Sequence, residues 1–236
     1  MKFLYRIFLL ALFSVPLLPA ADQLTGFPFQ NETLRYRVIW PGGQSLGDVT
    51  VSAQKTEDGW SFDLSTTLTI PLVPIADKYH ATAKGLDLCS VTLRRELSHG
   101  SKKVIEKTEL DQKRNLAQRQ TVVPAGGGTS ELQLPTCGRD ALTFQFLARR
   151  EMGQGRVPPA GKVFFGSGYD VKTNYTGPLE IPVAGKATVT DHLDVTVKGP
   201  ASEFALEIFY ARDAARTPLL IKIPLSMGAV SLELVR

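Results

Sequence analysis

The most suggestive catalytic pattern in the sequence is a serine between two glycines. Residues 43–47 (Gly-Gln-Ser-Leu-Gly) match the Gly-x-Ser-x-Gly pattern of the nucleophile elbow in α/β-hydrolases. That elbow needs a strand, a strained turn and then a helix. Here the next residues, 47–51 (Gly-Asp-Val-Thr-Val), alternate in a way that is typical of a strand. We therefore expect a hairpin turn at Ser45 and not a nucleophile.

The three histidines give no metal-binding pattern. His80, His99 and His192 do not pair at a spacing that would place two imidazoles on one ion. His192 follows Asp191 in a predicted strand, on a face that we expect to be solvated or at the rim of the sheet. The sequence predicts no catalytic residue, no metal site and no cofactor.

Met1–Ala21 has the features of a secretory signal peptide. Lys2 and Arg6 precede an apolar stretch over residues 7–18, and residues 19–21 (Pro-Ala-Ala) are suited to cleavage. The stretch is shorter than the roughly 18–20 residues that span a bilayer as a helix. An uncleaved N-terminal anchor is the alternative. We expect an exported protein with no integral membrane segment after cleavage.

Export changes the meaning of the two cysteines. In an oxidising compartment, Cys89 and Cys137 are predicted to form a disulfide. The chain-entropy model gives a loop of this length about 4 kcal/mol of stabilisation. The alternative is a metal site with His80 and His99, but these spacings match no zinc pattern.

Composition excludes several classes of protein. Hydrophobic residues make up 43% of the chain and charged residues 21%, which indicates a packed domain and not a disordered chain. The 27 Lys and Arg residues nearly balance the 23 Asp and Glu residues, and they are scattered. A nucleic-acid partner is therefore not expected.

Most of the chain alternates with the period of a β-strand. Clear examples are residues 34–40, 62–70, 91–97 and 187–197, each bounded by Gly, Pro or polar turn residues. A break between strands is predicted at Gly177-Pro178, and a loop is predicted over residues 71–74. Such short strands joined by short turns are typical of antiparallel sheets. We predict a mainly β protein, an antiparallel curved sheet or barrel-like half-barrel, that forms a single domain over residues 22–236.

One segment has helical spacing instead. Over residues 139–152, Leu142, Phe146 and Arg149 recur at i, i+4 and i+7, and Gly153 follows as a plausible helix end. Asp140 is suited to cap the helix N-terminus. This inserted helix divides the chain into two β meanders.

Three stretches together resemble a bacterial exported family that is catalogued as domain of unknown function 3108. They are the helical segment 140–149, the strand and turn at 208–218, and the opening strand at 34–40. The resemblance implies an exported, mostly antiparallel β shell with an inserted helix, and it implies no reaction. We expect the protein to be periplasmic in a Gram-negative bacterium. The motif residues, expected to be structural, are Asp140, Leu142, Arg149, Asp213, Arg216, Pro218 and Gly228.

For three of these motif positions the sequence supports a more specific prediction. Asp213 and Arg216 are expected to fix the turn before Pro218. For Arg149 two interpretations are open: an ion pair with a carboxylate under the sheet, or a side chain that projects toward a ligand.

The apolar strand faces leave two interpretations open. A curved sheet can hold an apolar ligand on its concave face, or its inward side chains can simply fill a core. The residues predicted as candidate ligand-lining positions are Tyr36, Trp40, Phe62, Leu64, Leu68, Phe204 and Leu206. The leading hypothesis is a non-enzymatic binding or carrier module for an apolar or lipid-like envelope molecule. The alternatives are a structural protein that docks an envelope partner and a hydrolase of envelope polymers.

Overall fold

The computed structural model describes residues 31–70, 73–201, 203–225 and 228–235. The predicted signal peptide, Met1–Ala21, lies outside these residues. Within them, no helix is long and apolar enough to cross a membrane.

The N-terminal half is a meander of eight strands in which each strand pairs antiparallel with the next. The strands are β1 (Glu32–Ile39), β2 (Ser45–Thr56), β3 (Gly59–Ile70), β4 (Val73–Lys84), β5 (Cys89–His99), β6 (Lys102–Asp111), β7 (Leu116–Val123) and β8 (Thr129–Gln133).

The C-terminal half contains the helix and a second meander. Its elements are β9 (Arg139–Asp140), α1 (Ala141–Gly153), β10 (Gly161–Phe164), β11 (Gly168–Val183), β12 (Lys186–Lys198), β13 (Glu203–Ala211), β14 (Pro218–Leu225) and β15 (Gly228–Leu234). The short β9 pairs parallel with β10, and the later strands pair antiparallel in chain order.

Pairing of β1 with β15 joins the two meanders into one continuous sheet. Tyr36 lies opposite Leu234 in this antiparallel pair. The sheet order runs from β8 through β1 and β15 to β9, so the sheet is open and curved and is not closed into a barrel. The predicted fold class is confirmed, as an open sheet with one helix.

Side chains bring the two ends of the curved sheet together without closing it. Phe165, in the turn between β10 and β11, stacks on Tyr79 of β4 with ring centroids 5.0 Å apart. In the same turn, the Gly166 carbonyl accepts a hydrogen bond from the Arg119 guanidinium of β7. Phe164 packs with Leu110 of β6 in a small buried cluster. The helix therefore lies inside the curve, between the two meanders.

The main core fills the space between α1 and the N-terminal meander. Phe146 of α1 stacks on Phe62 of β3 with ring centroids 4.3 Å apart, and both are fully buried. Leu142 and Leu147 pack into the same cluster. Each such side chain contributes about 1.5–3 kcal/mol by burial, so the helix is held firmly on this side.

Several predicted boundaries are wrong in detail. The helix covers 141–153 and not 139–152, because Arg139 and Asp140 pair with β10 before the helix begins. The break predicted at Gly177-Pro178 is absent: β11 continues through it with a bulge between Tyr175 and Gly177. The predicted loop over 71–74 is partly strand, since β4 begins at Val73, and residues 71–72 lie outside the described part.

Candidate functional site

An apolar cleft of about 450 Å³ lies between α1 and the C-terminal meander, and it is open to solvent on one side. Its volume falls within the range of small-molecule sites. The strand residues that line it alternate along each strand, as one face of a sheet must. They are Val163, Tyr169, Val171, Thr173, Leu193, Val195, Val197, Phe204, Leu206, Ile208, Tyr210 and Ile221, joined by Phe165 from the turn after β10.

The cleft exists because two faces of α1 carry side chains of different size. Leu142 and Phe146 fill the space toward the N-terminal meander. Toward the C-terminal meander, Ala141, Gln145 and Ala148 follow one another at i, i+4 and i+7 and line the cleft. Residues at this spacing share one side of a helix. The two alanines are too short to reach the facing strands, and Phe144 closes only part of the gap.

The cleft has an open and a closed end. Phe204 lies at the open end, where it is 43% exposed although its side chain is a phenyl ring. Tyr210, farther along the same strand, is fully buried and also lines the cleft. Burial raises the pKa of the Tyr210 phenol, and the nearby positive charge of Arg149 partly offsets this rise.

The Tyr210 hydroxyl has no hydrogen-bond partner among the residues that the structure describes. Buried hydroxyls are normally bonded, so this one is exceptional. The hydroxyl of the neighbouring Tyr36 is hydrogen-bonded, as is usual for a buried hydroxyl: it donates to the Pro218 carbonyl at 3.0 Å.

Arg149 is held in a buried ion pair beside the closed end. Its guanidinium donates two hydrogen bonds to the Glu32 carboxylate, at 2.6 and 2.9 Å, and its Nε donates to the carbonyls of Ala215 and Arg216. The side chain is 0% exposed. Of the two interpretations left open by the sequence, the structure shows the ion pair under the sheet. Arg149 joins α1 to β1 and to the β13–β14 turn.

A model of the family described as "Protein of unknown function (DUF3108)" matches residues 35–235. The chain belongs to this family. Among curated proteins, none matches the chain significantly.

The DUF3108 motif residues hold the frame around the cleft. Asp213 accepts hydrogen bonds from the backbone N–H and the hydroxyl of Thr217, which fixes the turn, and Arg216 donates to the buried carboxylate of Asp191 at 2.7 Å. Gly228 has φ +119°, and a Cβ there would lie 2.8 Å from the Cβ of Pro41. A side chain is therefore excluded at Gly228 by both backbone conformation and space.

Asp140 begins the DUF3108 helix as a complete N-cap. Its Oδ1 accepts the backbone N–H groups of Leu142 and Thr143, and its Oδ2 accepts the hydroxyls of Ser90 and Thr143. Burial raises the pKa of this carboxyl, and these hydrogen bonds act in the opposite direction. The cap links the helix start to β5.

The predicted disulfide between Cys89 and Cys137 is confirmed. It joins β5 to the segment just before β9, with Cα atoms 4.7 Å apart. Gln112 strengthens the same junction, because its side-chain amide donates to the carbonyls of Ser90 and Gly138. These links position the helix that forms one wall of the cleft.

The seven candidate lining residues separate into two groups. Phe204 and Leu206 line the cleft. The other five belong to the main core or pack against it, because α1 fills that half of the concave face: Tyr36, Trp40, Phe62, Leu64 and Leu68. For these five, the filled-core interpretation is the one that the structure shows.

Sequence reasoning missed most of the cleft. Leu193, Val195 and Val197 alternate in β12, and Ile208 and Tyr210 continue the alternation of Phe204 and Leu206 in β13. That alternation was the available signal. It identifies a face of the sheet, but it does not reveal whether a helix side chain covers that face.

The histidines and Ser45 lie elsewhere in the structure. His192 stacks on Phe209 with ring centroids 4.4 Å apart, and its side chain is 14% exposed. Of the two predicted settings, solvated or at the rim, this partial exposure agrees with the rim, because the Phe209 ring covers one face of the imidazole. Ser45 lies exposed at the start of β2. In the described part of the chain, no group of three or more His, Cys, Asp or Glu side chains could hold a metal ion.

Proposed function

We propose that this protein binds an apolar or amphipathic small molecule, of lipid-like character, in the cleft between α1 and the C-terminal meander. The observation that supports the proposal is the cleft itself, a half-open space of about 450 Å³ with an almost entirely apolar lining. An apolar surface of this kind gains free energy when it is covered, at about 25 cal/mol per Å².

The rigidity of the walls also supports binding. The Arg149–Glu32 ion pair, the Asp140 cap and the disulfide fix both the helix and the turn next to the cleft. A preformed site avoids the entropic cost of ordering its walls when a ligand arrives. We further propose that the protein is exported to the periplasm and carries its ligand there, because Met1–Ala21 has the pattern of a signal peptide.

The first test is ligand uptake by delipidated protein. The protein is unfolded, extracted, refolded and then mixed with a C12–C16 fatty acid, a fatty alcohol or a phospholipid, and native mass spectrometry records the complexes. We expect a one-to-one complex with at least one of these probes. Absence of every complex would contradict the proposed function.

A blocked cleft provides the matched variant. Ala148 is buried and lines the cleft, so Ala148→Phe places a ring in the space that a ligand would occupy. Ala205→Phe is the control: Ala205 is exposed between Phe204 and Leu206, on the opposite face of β13. We expect Ala148→Phe to lower affinity at least tenfold and Ala205→Phe to leave it unchanged, with both variants folded by circular dichroism.

A second candidate function, docking of an envelope protein, has one observation in its favour. The strand β8 ends the sheet and pairs with β7 alone among the described strands. Its outer backbone groups are available to add a strand from a partner. A photo-crosslinker at Glu131 would test this in cells, with one at Glu233 as the control, because Glu233 is exposed but its strand is paired on both sides. Equal labelling from both positions would exclude an edge-specific partner.

A further inference from the structure

A second pocket, of about 210 Å³, lies just beyond the closed end of the cleft and is open to solvent. The strand register places it there, because Asp191, which lines the pocket, is paired with Tyr210, which lines the cleft. Directly opposed residues of an antiparallel pair share one face of the sheet. The apolar row of β12 from Val197 to Leu193 therefore continues to a carboxylate, and the lining changes from apolar to charged.

Three arginines line this second pocket, which we call the arginine pocket: Arg156, Arg212 and Arg216. Asp191 lines it too, but both of its carboxylate oxygens are already bonded. Oδ1 accepts the Tyr175 hydroxyl at 3.0 Å, and Oδ2 accepts Nη1 of Arg216 at 2.7 Å. Because Asp191 is only 4% exposed, the accessible polar groups are mainly guanidinium nitrogens.

Arg212 offers the donors that are free to bind a ligand. Its side chain is 54% exposed, and its Nε lies 3.5 Å from Oδ1 of Asp191. Its two terminal nitrogens make no hydrogen bond to any residue that the structure describes. The planar N–H groups of a guanidinium match the oxygens of a carboxylate or phosphate. An anion can therefore accept these donors without displacing a contact within the protein.

The charges around the arginine pocket do not balance. Each of two carboxylates is shared by two guanidiniums, which leaves an excess of two positive charges. Asp213, in the β13–β14 turn, lowers this excess to one. An added anion would complete the neutralisation. The shared carboxylates are Asp191, with Arg212 and Arg216, and Glu151, with Arg150 and Arg156.

The C-terminal end of α1, which lies beside the pocket, does little to oppose an anion. The last carbonyls of a helix carry a partial negative charge when they have no partner. Here the carbonyls of residues 150–152 accept hydrogen bonds from the backbone N–H groups of Gln154, Gly155 and Arg156. The negative end of the helix is therefore largely satisfied by its own chain.

We propose that the arginine pocket binds an anionic oxygen group, a phosphate or a carboxylate, with Arg212 as its main donor. The group belongs either to the ligand of the cleft, as its headgroup, or to a separate small anion. The first source rests on the proposed function, and it requires the hydrocarbon chain to pass Met152. That side chain lines the arginine pocket and packs with Leu193 and Tyr210 of the cleft, and methionine is flexible enough to move aside.

The site is tested by titration of inorganic phosphate and of dodecyl phosphate, followed by isothermal titration calorimetry at pH 7.5 and low salt. Arg212→Gln should weaken the binding of whichever probe binds at least tenfold, through loss of charge-assisted hydrogen bonds. Arg37→Gln is the matched control, because it removes the same charge from an exposed position on β1. It should leave the affinities within about twofold. Both variants should unfold at the wild-type temperature.

Ala148→Phe distinguishes the two sources of the anion. If the anion is the headgroup of the cleft ligand, dodecyl phosphate should bind at least tenfold more tightly than phosphate, and the blocked cleft should remove that gain. If it is a separate anion, phosphate should bind, the dodecyl chain should add no affinity, and Ala148→Phe should change neither. Either result, together with the loss in Arg212→Gln, supports the arginine pocket.

The inference is overturned if neither phosphate probe binds to the wild-type protein, or if Arg212→Gln and Arg37→Gln bind them equally well. Uncharged 1-dodecanol tests the cleft separately, because it needs no cation. If 1-dodecanol binds and both phosphates fail, the proposed function stands and the arginine pocket is rejected. If phosphate binds and 1-dodecanol does not, the arginine pocket stands without the cleft.

Discussion

The buried pair of Arg149 and Glu32 shows how one contact can determine the position of three elements. The guanidinium is fully covered, and it joins α1, β1 and the β13–β14 turn. Its burial is tolerated because each of its three nitrogens donates a hydrogen bond to an oxygen. Removal of either partner leaves a buried group with no compensation, which is costlier than loss of an exposed pair.

Glu32→Gln should therefore lower the free energy of unfolding by about 3 kcal/mol, since Arg149 keeps its charge but loses its counter-charge. The control is Glu96→Gln, because the Arg94–Glu96 pair is exposed on both sides; it should change stability by less than about 0.5 kcal/mol. Urea unfolding measures both. Equal losses in the two variants would contradict the structural role of Arg149.

The two buried tyrosines predict a loss of stability at high pH. Burial raises the pKa values of Tyr36 and Tyr210 far above the ordinary value of 10.0, and Glu32 raises that of Tyr36 further, against the opposing charge of Arg149. Above pH 10 the unfolded chain therefore loses these protons while the folded protein keeps them. The stabilising effect is complete below pH 10 and declines as pH rises.

For each phenol, this decline amounts to about 1.4 kcal/mol per pH unit above pH 10. Tyr210→Phe removes one phenol and should make the fall in stability shallower by that amount. Urea unfolding at several pH values between 9 and 11.5 measures the slope. An identical slope in wild type and variant would show that Tyr210 ionises freely in the folded protein.

The helix α1 depends on the residue that caps its N-terminus. Asp140 satisfies two backbone N–H groups of the first turn and two hydroxyls. Asp140→Ala should lower the free energy of unfolding by about 2 kcal/mol, the upper range for loss of an N-cap. Asp140→Asn should cost less, because its amide oxygen still accepts the two N–H groups. Thermal unfolding compares the stability of the two variants. Equal losses of stability would indicate that the hydrogen bonds of Oδ2 to the two hydroxyls carry the effect.

The disulfide also helps to fix the start of α1, because Cys137 lies just before β9, which leads into the helix. Cys89 and Cys137 enclose a sequence separation of 48 residues, for which the chain-entropy model gives about 4 kcal/mol. The double variant Cys89→Ser with Cys137→Ser should lose stability of that order. Wild-type protein isolated from the cells that produce it and denatured without reductant should show no free thiol. A full complement of free thiols would mean that the bond does not form where the protein resides.

At the scale of elements, sequence periodicity predicted much of the fold. The alternation over 34–40 and 187–197 and the helical spacing over 139–152 correspond to real strands and to α1. The short strands β8 and β10 were missed, because four or five residues give too little periodicity to count. The continuity of β11 through Gly177-Pro178 was also missed, since a bulge accommodates the two residues locally.

At the scale of the whole molecule, the cleft could not be read from the strand patterns. The same alternation occurs in β3, where Phe62 is covered by Phe146, and in β12, where Val195 faces open space. The difference lies in which side of α1 carries alanines and in how the helix is rotated. That rotation depends on Asp140, Arg149 and the disulfide, which are contacts between residues far apart in the chain.

The central claim is that the cleft holds a hydrocarbon chain. The most direct measurement is the affinity of delipidated protein for a series of straight-chain primary alcohols with increasing carbon number. Each methylene that enters the cleft contributes about 0.8 kcal/mol, so Kd should fall roughly fourfold per carbon until the cleft is full. In Ala148→Phe the plateau should come at a shorter chain. Affinities that do not change with chain length, or an identical plateau in both proteins, would contradict the claim.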